Sequence, residues 1–266
     1  PPSNRDHDVT IVLRGLNFWT SDIVLWVILT SRPVRADLHL TDCWAGLFGS
    51  VKPDAAQFIF QGPNFNGVSS ASIQGLRSRG YARCLSVIVT DWHPQEYTVT
   101  NITDSVFDQC GLGVMVGDSP LSDMVIQDVT VTNFYWMAVY VLRKNKSVTI
   151  RRLRARTDTQ ALAMDSSRQP DEHSACITLL HGPVGWLHVH DSECTFQDTG
   201  PTQHAWSILW TQKSSFQRVE VHDSRFVVEH PAGGWHVESR GIYRALGDSR
   251  DNPNDWNWAP APPTDT

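Results

Sequence analysis

Val189-His190-Asp191-Ser192 and Val221-His222-Asp223-Ser224 are two copies of one short pattern: an apolar residue, a polar one, an aspartate and a serine. Related stretches are Ile102-Thr103-Asp104-Ser105, Ile126-Gln127-Asp128-Val129 and Ile150-Arg151-Arg152-Leu153. The copies begin 24, 24, 39 and 32 residues apart. A unit of strand and turn this short cannot bury its own apolar side. Repetition at this period therefore predicts a solenoid in which neighbouring coils share one core.

The same register extends backwards along the chain, which gives about eight coils in all. The earlier copies are Ile73-Gln74-Gly75-Leu76, Leu40-Thr41-Asp42-Cys43 and Val12-Leu13-Arg14-Gly15. Strict alternation, as in Leu187-His188-Val189-His190, predicts strands whose apolar side chains point inward. The equivalent residues of successive copies should then stack as a buried ladder: Ile102, Ile126, Ile150, Val189 and Val221.

Each coil is expected to end in a second apolar strand. The segments that suggest it are Val24 to Leu29, Phe58 to Phe60, Val87 to Val89, Val114 to Val116, Val139 to Val141, Ala161 to Ala163, Ile208 to Trp210 and Trp235 to Val237. The position after the first strand is rich in aspartate: Asp42, Asp104, Asp128, Asp191 and Asp223. Because Asx side chains readily satisfy turn backbone, this column predicts a ladder of structural turns.

The repeat resembles the right-handed parallel β-helix of the pectin-lyase-like superfamily, which includes many phage tailspikes. The resemblance spans residues 9 to about 244 and implies an all-β, single-domain solenoid. It predicts an N-terminal tail at 1–8, a β-helix domain at 9–247 and a Trp/Pro-rich cap or linker at 248–266. The catalytic motifs of the family's polygalacturonases are missing, and His181-Gly182-Pro183 matches one of them only in part.

The composition is sufficient for a single hydrophobic core, and it argues against nucleic acid and a membrane span as features of this chain. The chain has 266 residues, 41% of them hydrophobic, and a net charge of −6, which argues against nucleic-acid binding. The longest apolar run, Ile23 to Leu29, is too short to span a bilayer. Five cysteines without metal-ligand spacing predict neither a structural zinc nor a disulfide framework. Cys43 and Cys194 are expected to be small inward fillers.

The end of the chain differs from the repeats. Asp248 to Trp258 is polar except for Trp256 and Trp258, and a Pro-rich stretch follows it. An open solenoid end exposes strand edges, so this segment is predicted to be a cap, or the contact through which copies or other proteins assemble.

Outward positions of the first strands form two columns. One runs Ser72, Asn101, Val125, Thr149, His188, Glu220; the other runs Gln74, Thr103, Gln127, Arg151, His190, His222. The last coils bring Arg151, His188, His190, Glu220 and His222 into one patch. A long insertion, Asp165 to Gly185, emerges beside this patch and carries Asp171, Glu172 and His181. Insertions in repeat proteins commonly surround the binding face, so a groove for an elongated polysaccharide is expected here.

Three interpretations of the patch stay open. Glu220 could form a catalytic pair with Asp171, Glu172 or Asp165 for general acid–base work on a glycan. The substrate would then be bound by Arg151, His181, His188, His190 and His222. In a second interpretation, the imidazoles and Glu220 hold a divalent metal ion. Our prediction for the site is that it holds neither a metal nor another cofactor. The third interpretation is a solvated polar face without a ligand.

The functional prediction is an extracellular or virion-surface protein that binds polysaccharide. Whether it also cleaves the polysaccharide stays open; as an enzyme it would be a hydrolase or a lyase. The alternative is a non-catalytic structural module of a virion, fibre or cell surface that engages in protein–protein assembly. Fold alone does not decide between them.

Overall fold

The computed structural model describes residues 9–20, 26–28, 36–47, 62–89, 98–158, 174–180, 184–197, 206–212, 215–229, 235–239 and 243–248. These residues form strands and turns, with no helix among them. The described part of the chain thus has no helix that could cross a membrane. The predicted tails at 1–8 and beyond Asp248 lie outside the described residues.

The first sheet contains eight parallel strands, each paired with the equivalent strand of the next repeat. They are β1 (Val9–Arg14), β4 (Ala36–Thr41), β7 (Ser70–Gln74), β10 (Thr98–Thr103), β12 (Leu112–Gln127), β14 (Met137–Arg151), β17 (Val184–His190) and β20 (Ser215–His222). The pairing places Ile102 beside Ile126, Ile126 beside Ile150 and Ile150 beside Val189. These four side chains are at most 1% exposed, and Val221 packs partly buried against the same core. The predicted inward ladder is therefore confirmed.

The second sheet also has eight parallel strands, and it is the element that the sequence pattern missed. They are β2 (Asn17–Thr20), β5 (Trp44–Leu47), β8 (Arg77–Arg79), β11 (Val106–Asp108), β13 (Thr130–Thr132), β15 (Arg154–Asp158), β18 (Glu193–Gln197) and β21 (Ser224–Glu229). Three of them are only three residues long, which is too short for an alternating pattern to stand out.

The third sheet has five parallel strands of its own: β3 (Trp26–Ile28), β6 (Asn64–Val68), β9 (Arg83–Val89), β16 (Ser174–Leu180) and β19 (Trp206–Gln212). The first halves of β12 and β14 continue this sheet and join it to the first one. Three parallel sheets around a shared apolar core are compatible with a parallel β-solenoid.

Five of the eight predicted second strands coincide with the third sheet or with the halves of β12 and β14 that continue it, and three do not. Phe58 to Phe60 and Ala161 to Ala163 lie outside the described residues, and the structure places the strands of those repeats in β6 and β16. Trp235 to Val237 belongs to β22 (Trp235–Ser239), which pairs antiparallel with β21. β23 (Tyr243–Asp248) likewise runs antiparallel to β20. The C-terminal edge of both large sheets is thus covered by reversed strands.

The turn after each first-sheet strand uses a residue with a left-handed backbone. The residues are Gly15, Asp42, Gly75, Asp104, Asp128, Arg152, Asp191 and Asp223, with φ between 48° and 68°. Gly and Asp tolerate this region better than most residues. The turn N–H groups donate to the next repeat; the N–H of Asp128, for example, lies 3.1 Å from the carbonyl oxygen of Arg151. The predicted ladder of turns is therefore confirmed. The turn N–H groups, however, donate to backbone carbonyls of neighbouring repeats and not, as the sequence had suggested, to the aspartate side chains.

The expectation that disulfides are absent is wrong. The structure pairs Cys84 with Cys110 and Cys176 with Cys194, at Cα separations of 5.7 and 6.4 Å. Cys194 is therefore not a free thiol, while Cys43 is free and buried, as predicted. The error came from reading cysteine spacing along the chain, because in a solenoid residues one repeat apart become neighbours.

Candidate functional site

The C-terminal strands of the first sheet build the candidate site on their outward side. The register pairs Thr149 with His188 and His188 with Glu220, and it pairs Arg151 with His190 and His190 with His222. These are the two columns that the sequence predicted. The structure therefore brings together all five residues of the predicted patch, which are Arg151, His188, His190, Glu220 and His222.

Buried serines hold the two turns that follow β17 and β20. The hydroxyl of Ser192 donates to the carbonyl of His190 at 2.9 Å and accepts from the N–H of Leu153 at 3.2 Å. Ser224 repeats this arrangement one strand later, donating to the carbonyl of His222 and accepting from the N–H of Ser192. Because each hydroxyl links two repeats, the Asp-Ser dipeptides fix the positions of the neighbouring histidines.

Three imidazoles form the centre of the site. The ring centroids of His188 lie 4.7 Å from those of His190 and 4.9 Å from those of His222. His190 and His222 are 5.0 Å apart with planes only 10° from parallel. We call these three residues the imidazole cluster.

One hydrogen bond within the cluster fixes where protons can reside. The Nε2 atoms of His188 and His222 are 2.7 Å apart while the ring centroids are 4.9 Å apart, so the rings meet almost head-on through these nitrogens. The Nδ1 atom of His222 lies 2.8 Å from Oδ2 of Asp223. Because a carboxylate oxygen accepts hydrogen bonds, Nδ1 of His222 must carry the hydrogen and donate it. In the neutral cluster, His188 then donates from Nε2 and His222 accepts.

His190 has a carboxylate partner of its own. Its Nδ1 atom lies 3.1 Å from Oδ2 of Asp191, and Nε of Arg151 lies 3.8 Å from the same oxygen. The hydrogen bond from His190, together with the nearby positive charges, lowers the pKa of Asp191. Asp191 therefore remains a carboxylate in mildly acidic solution.

Burial controls the charge of His188. Loss of solvent is the largest cause that lowers the pKa of His188 below its usual value, and the neighbouring His190 and His222 add to the decrease. Glu220 acts in the opposite direction. His188 is accordingly a neutral hydrogen-bonding side chain at neutral pH.

Glu220, the predicted catalytic acid, is only 7% exposed and forms an ion pair with Arg218. The Arg218 guanidinium occupies this carboxylate, which suits a structural anchor better than a catalytic group. The other predicted acids, Asp165, Asp171 and Glu172, and the predicted ligand His181 lie outside the described residues.

Two residues of the site were missed by the sequence analysis. Trp186 and Arg218 are paired in register and form a third outward column. The Trp186 side chain is among the few large apolar ones that are exposed, at 40%, and its ring is nearly parallel to that of His188. The Arg218 guanidinium lies 5.0 Å from the centroid of the indole. The signal was available, because Trp186 precedes His188 by two positions and shares its side of the strand.

We call the outward surface formed by these residues the histidine face: Arg151, Trp186, His188, His190, Arg218, Glu220 and His222. Comparison of the chain with models of known families, with curated proteins and with solved structures finds no match. The function must therefore be inferred from this surface.

Metal binding was one interpretation of the histidine face. Within the described ranges, no group of three or more His, Cys, Asp or Glu side chains is arranged to hold a metal ion. The Nε2 atoms of His188 and His222 also point at each other, as in a hydrogen bond, and not towards a common position where a metal ion could lie.

Proposed function

We propose that this protein is a right-handed parallel β-helix of about eight coils, similar to the pectin-lyase-like superfamily, that binds polysaccharide through the histidine face. The observation that carries the proposal is the exposed indole of Trp186, which lies beside the guanidinium of Arg218 and the imidazole of His188 on the sheet surface. Aromatic rings with an apolar body and a polar edge are suited to partly apolar, hydrogen-bonding ligands. A sugar ring has this character.

The polar groups around Trp186 supply directional contacts. Arg218 offers several N–H donors, and the imidazole cluster offers both donors and acceptors. The flanking ion pairs and the His188–His222 hydrogen bond hold these groups in place before a ligand arrives. Preorganisation of this kind reduces the entropy cost of binding.

An extended chain suits the shape of this surface. The outward columns continue without interruption from β17 through β14, β12 and β10 to β7. Apart from Arg151 on β14 and Val125 on β12, neutral polar side chains replace the histidines there. Successive strands in a sheet are about 4.8 Å apart, so the columns form a track along which several sugar units could lie. Trp186 and the imidazole cluster would mark the tighter-binding end of this track.

The two disulfides support an extracellular or virion-surface location. Buried Cys84–Cys110 and Cys176–Cys194 bridges form and persist in oxidising environments and are rare in reducing ones. Surface polysaccharides are encountered in the same environments, so location and ligand are consistent with each other.

The proposed function is the binding of polysaccharide; its cleavage would require catalytic groups as well. Glycoside hydrolysis requires two carboxyl groups flanking the bond, and Glu220 is already paired with Arg218. Asp165, Asp171 and Glu172 remain the candidates for a second carboxyl group if the protein is a hydrolase.

A glycan array tests the proposal. The purified chain should bind a set of glycans, and Trp186→Ala should lower the affinity at least tenfold. Trp44→Ala is the matched control, because Trp44 is also an outward tryptophan but belongs to β5, on another sheet. Unchanged binding by Trp186→Ala, or an absence of binding by the native chain, would refute the proposal. Release of reducing sugar, measured on the array hits, separates binding from cleavage.

The alternative, a structural module for assembly, is favoured by a separate observation at the opposite end of the stack. Val9, Val12 and Leu16 of the first repeat are exposed by 39%, 57% and 39%. Exposed apolar side chains beside a sheet edge are typical of contact surfaces. Light scattering of the native chain and of Val12→Asp checks this candidate, because an assembly through β1 should be weakened by the charge.

A further inference from the structure

At neutral pH, the histidine face has no arginine side chain left unpaired within the described residues. The guanidinium of Arg218 is paired with Glu220, and that of Arg151 lies near Asp191. Asp223 adds a further carboxylate beside His222. An acidic saccharide would therefore have to compete with carboxylates that belong to the protein itself.

Two further arginines of the described residues lie near the imidazole cluster in the fold. Arg152, in the turn after β14, is held by Asp128 of the preceding turn. On the C-terminal side, β23 places Arg244 at the register position opposite Glu220. The cluster is thus the main group of ionisable side chains on this face that can change its charge in mildly acidic solution.

The geometry of the cluster couples its protons. The hydrogen bond between the two Nε2 atoms requires that at least one of them be unprotonated. The three ring centroids lie within 5.0 Å of one another, so each added proton disfavours the next one. An anion bound against the cluster would remove this repulsion.

We propose that acidification changes the ligand class of the histidine face: it accepts uncharged saccharides at neutral pH and, once the imidazole cluster gains positive charge, also binds saccharides bearing carboxylate or sulfate groups. This inference rests on the proposed function and names the ligand class for the same site. The lowered pKa of His188 is consistent with it, because burial keeps this ring neutral until the solution is acidic.

The expected size of the effect follows from linkage. If a bound anion raises the apparent pKa of the cluster by about one unit, its affinity increases about tenfold on passing from the neutral to the protonated cluster. Uncharged saccharides should gain nothing comparable, since their contacts with Trp186 do not depend on charge.

The experiment compares glycan-array binding at pH 7.5 and pH 5.0, using neutral glycans together with their uronate and sulfated counterparts. We expect binding of the acidic members to increase about tenfold at pH 5.0 while neutral members change by less than about twofold. The double variant His188→Gln/His222→Gln should lose the increase. His39→Gln should keep it, because His39 lies on β4 in the same outward column but several strands away.

The possible failures are distinguishable. If no glycan binds at either pH, the proposed function fails and this inference with it. If glycans bind but acidic members gain nothing at pH 5.0, or the double variant keeps the gain, only this inference is overturned.

A ligand-free measurement keeps the test valid even if the double variant is unstable. The imidazole signals of the cluster, followed by nuclear magnetic resonance during a pH titration of the wild-type protein, should shift in coupled steps. Independent simple steps for the three cluster histidines would contradict the proposal.

Discussion

Arg152 binds Asp128, which occupies the same turn position one repeat earlier, through two parallel contacts. Nε lies 2.5 Å from Oδ1, and Nη2 lies 2.6 Å from Oδ2. The pair explains how arginine is accommodated in a column of aspartates and glycines: its left-handed backbone, with φ of 50°, is unfavourable for arginine, and the two-point contact offsets this cost.

This ion pair predicts a pH-dependent difference for Asp128→Asn. Arg152 lowers the pKa of Asp128 from 3.8 to about 2. The stabilisation is therefore fully present above pH 3.8 and is lost as the pH falls towards 2. Both side chains are about a third exposed, so the loss at pH 7 should be about 0.5–1 kcal/mol, as for surface pairs. Denaturant unfolding at several pH values between 7 and 2.5 measures it.

Asp104→Asn is the control for that experiment, because Asp104 occupies the same turn position and accepts a hydrogen bond from Gln74 rather than from an arginine. Its stability difference should be smaller and less dependent on pH. Equal effects of the two substitutions would show that the ion pair contributes nothing.

The inward ladder predicts a large effect for Ile126→Asp. Ile126 is fully buried between Ile102 and Ile150, so a carboxylate there would be unpaired in the apolar core. We expect a loss of at least about 3 kcal/mol in the free energy of unfolding. Val125→Asp, one position away but pointing outward, should cost much less. A melting temperature for Ile126→Asp equal to that of the wild type would refute the register.

The disulfides predict sensitivity to reduction. Each bridge closes a short loop, of 26 or 18 residues, which corresponds to about 3 kcal/mol in the chain-entropy treatment. Cys110→Ser should therefore lower the melting temperature and remove part of the response to a reducing agent. Cys43→Ala, at the free cysteine, should leave that response intact. Mass spectrometry under non-reducing conditions checks the pairing directly; a different pairing would mean that the adjacent repeats are aligned differently.

The imidazole cluster predicts acid sensitivity of the folded state. The pKa of His188 is lower in the folded protein than the ordinary value of 6.5, so the unfolded chain binds a proton first as the pH falls. Stability contributed by neutral His188 is complete above pH 6.5 and decreases below it. His188→Gln should make the free energy of unfolding less dependent on pH between 7 and 5. An unchanged slope would indicate that the ring is freely solvated.

The repeat period and the outward columns could be predicted because strand alternation is a local property of the sequence. His188, His190, Glu220 and His222 were aligned correctly from their offsets to the repeated Asp-Ser pairs. Trp186 and Arg218 were overlooked although the same alternation includes them. Neither residue has the acid–base or metal-binding chemistry that marks the histidines and Glu220, but the exposed ring of Trp186 is the part of the site best suited to binding a sugar.

Other features depend on distances that no local pattern shows. The strands β8, β11 and β13 of the second sheet are too short for periodicity, and a residue with a left-handed backbone precedes and follows each of them. Cys84 and Cys110 are separated by 26 residues, close to the 29-residue offset that pairs β9 with β12, so the two cysteines lie in neighbouring repeats. That clue becomes readable only when cysteine spacing is compared with the repeat period.

The reversed strands β22 and β23 give the molecule two unequal ends. At the C-terminal end, a strand from another chain would have to pair with β22 or β23, which run antiparallel to the other strands, so it could not continue the parallel stack. At the other end, β1 runs parallel to β4 and has the same direction as the rest of the stack. Growth by the addition of repeats, whether through gene duplication or by design, therefore has only one permissive terminus, and a longer version of this protein should be built upstream of β1 or within the stack.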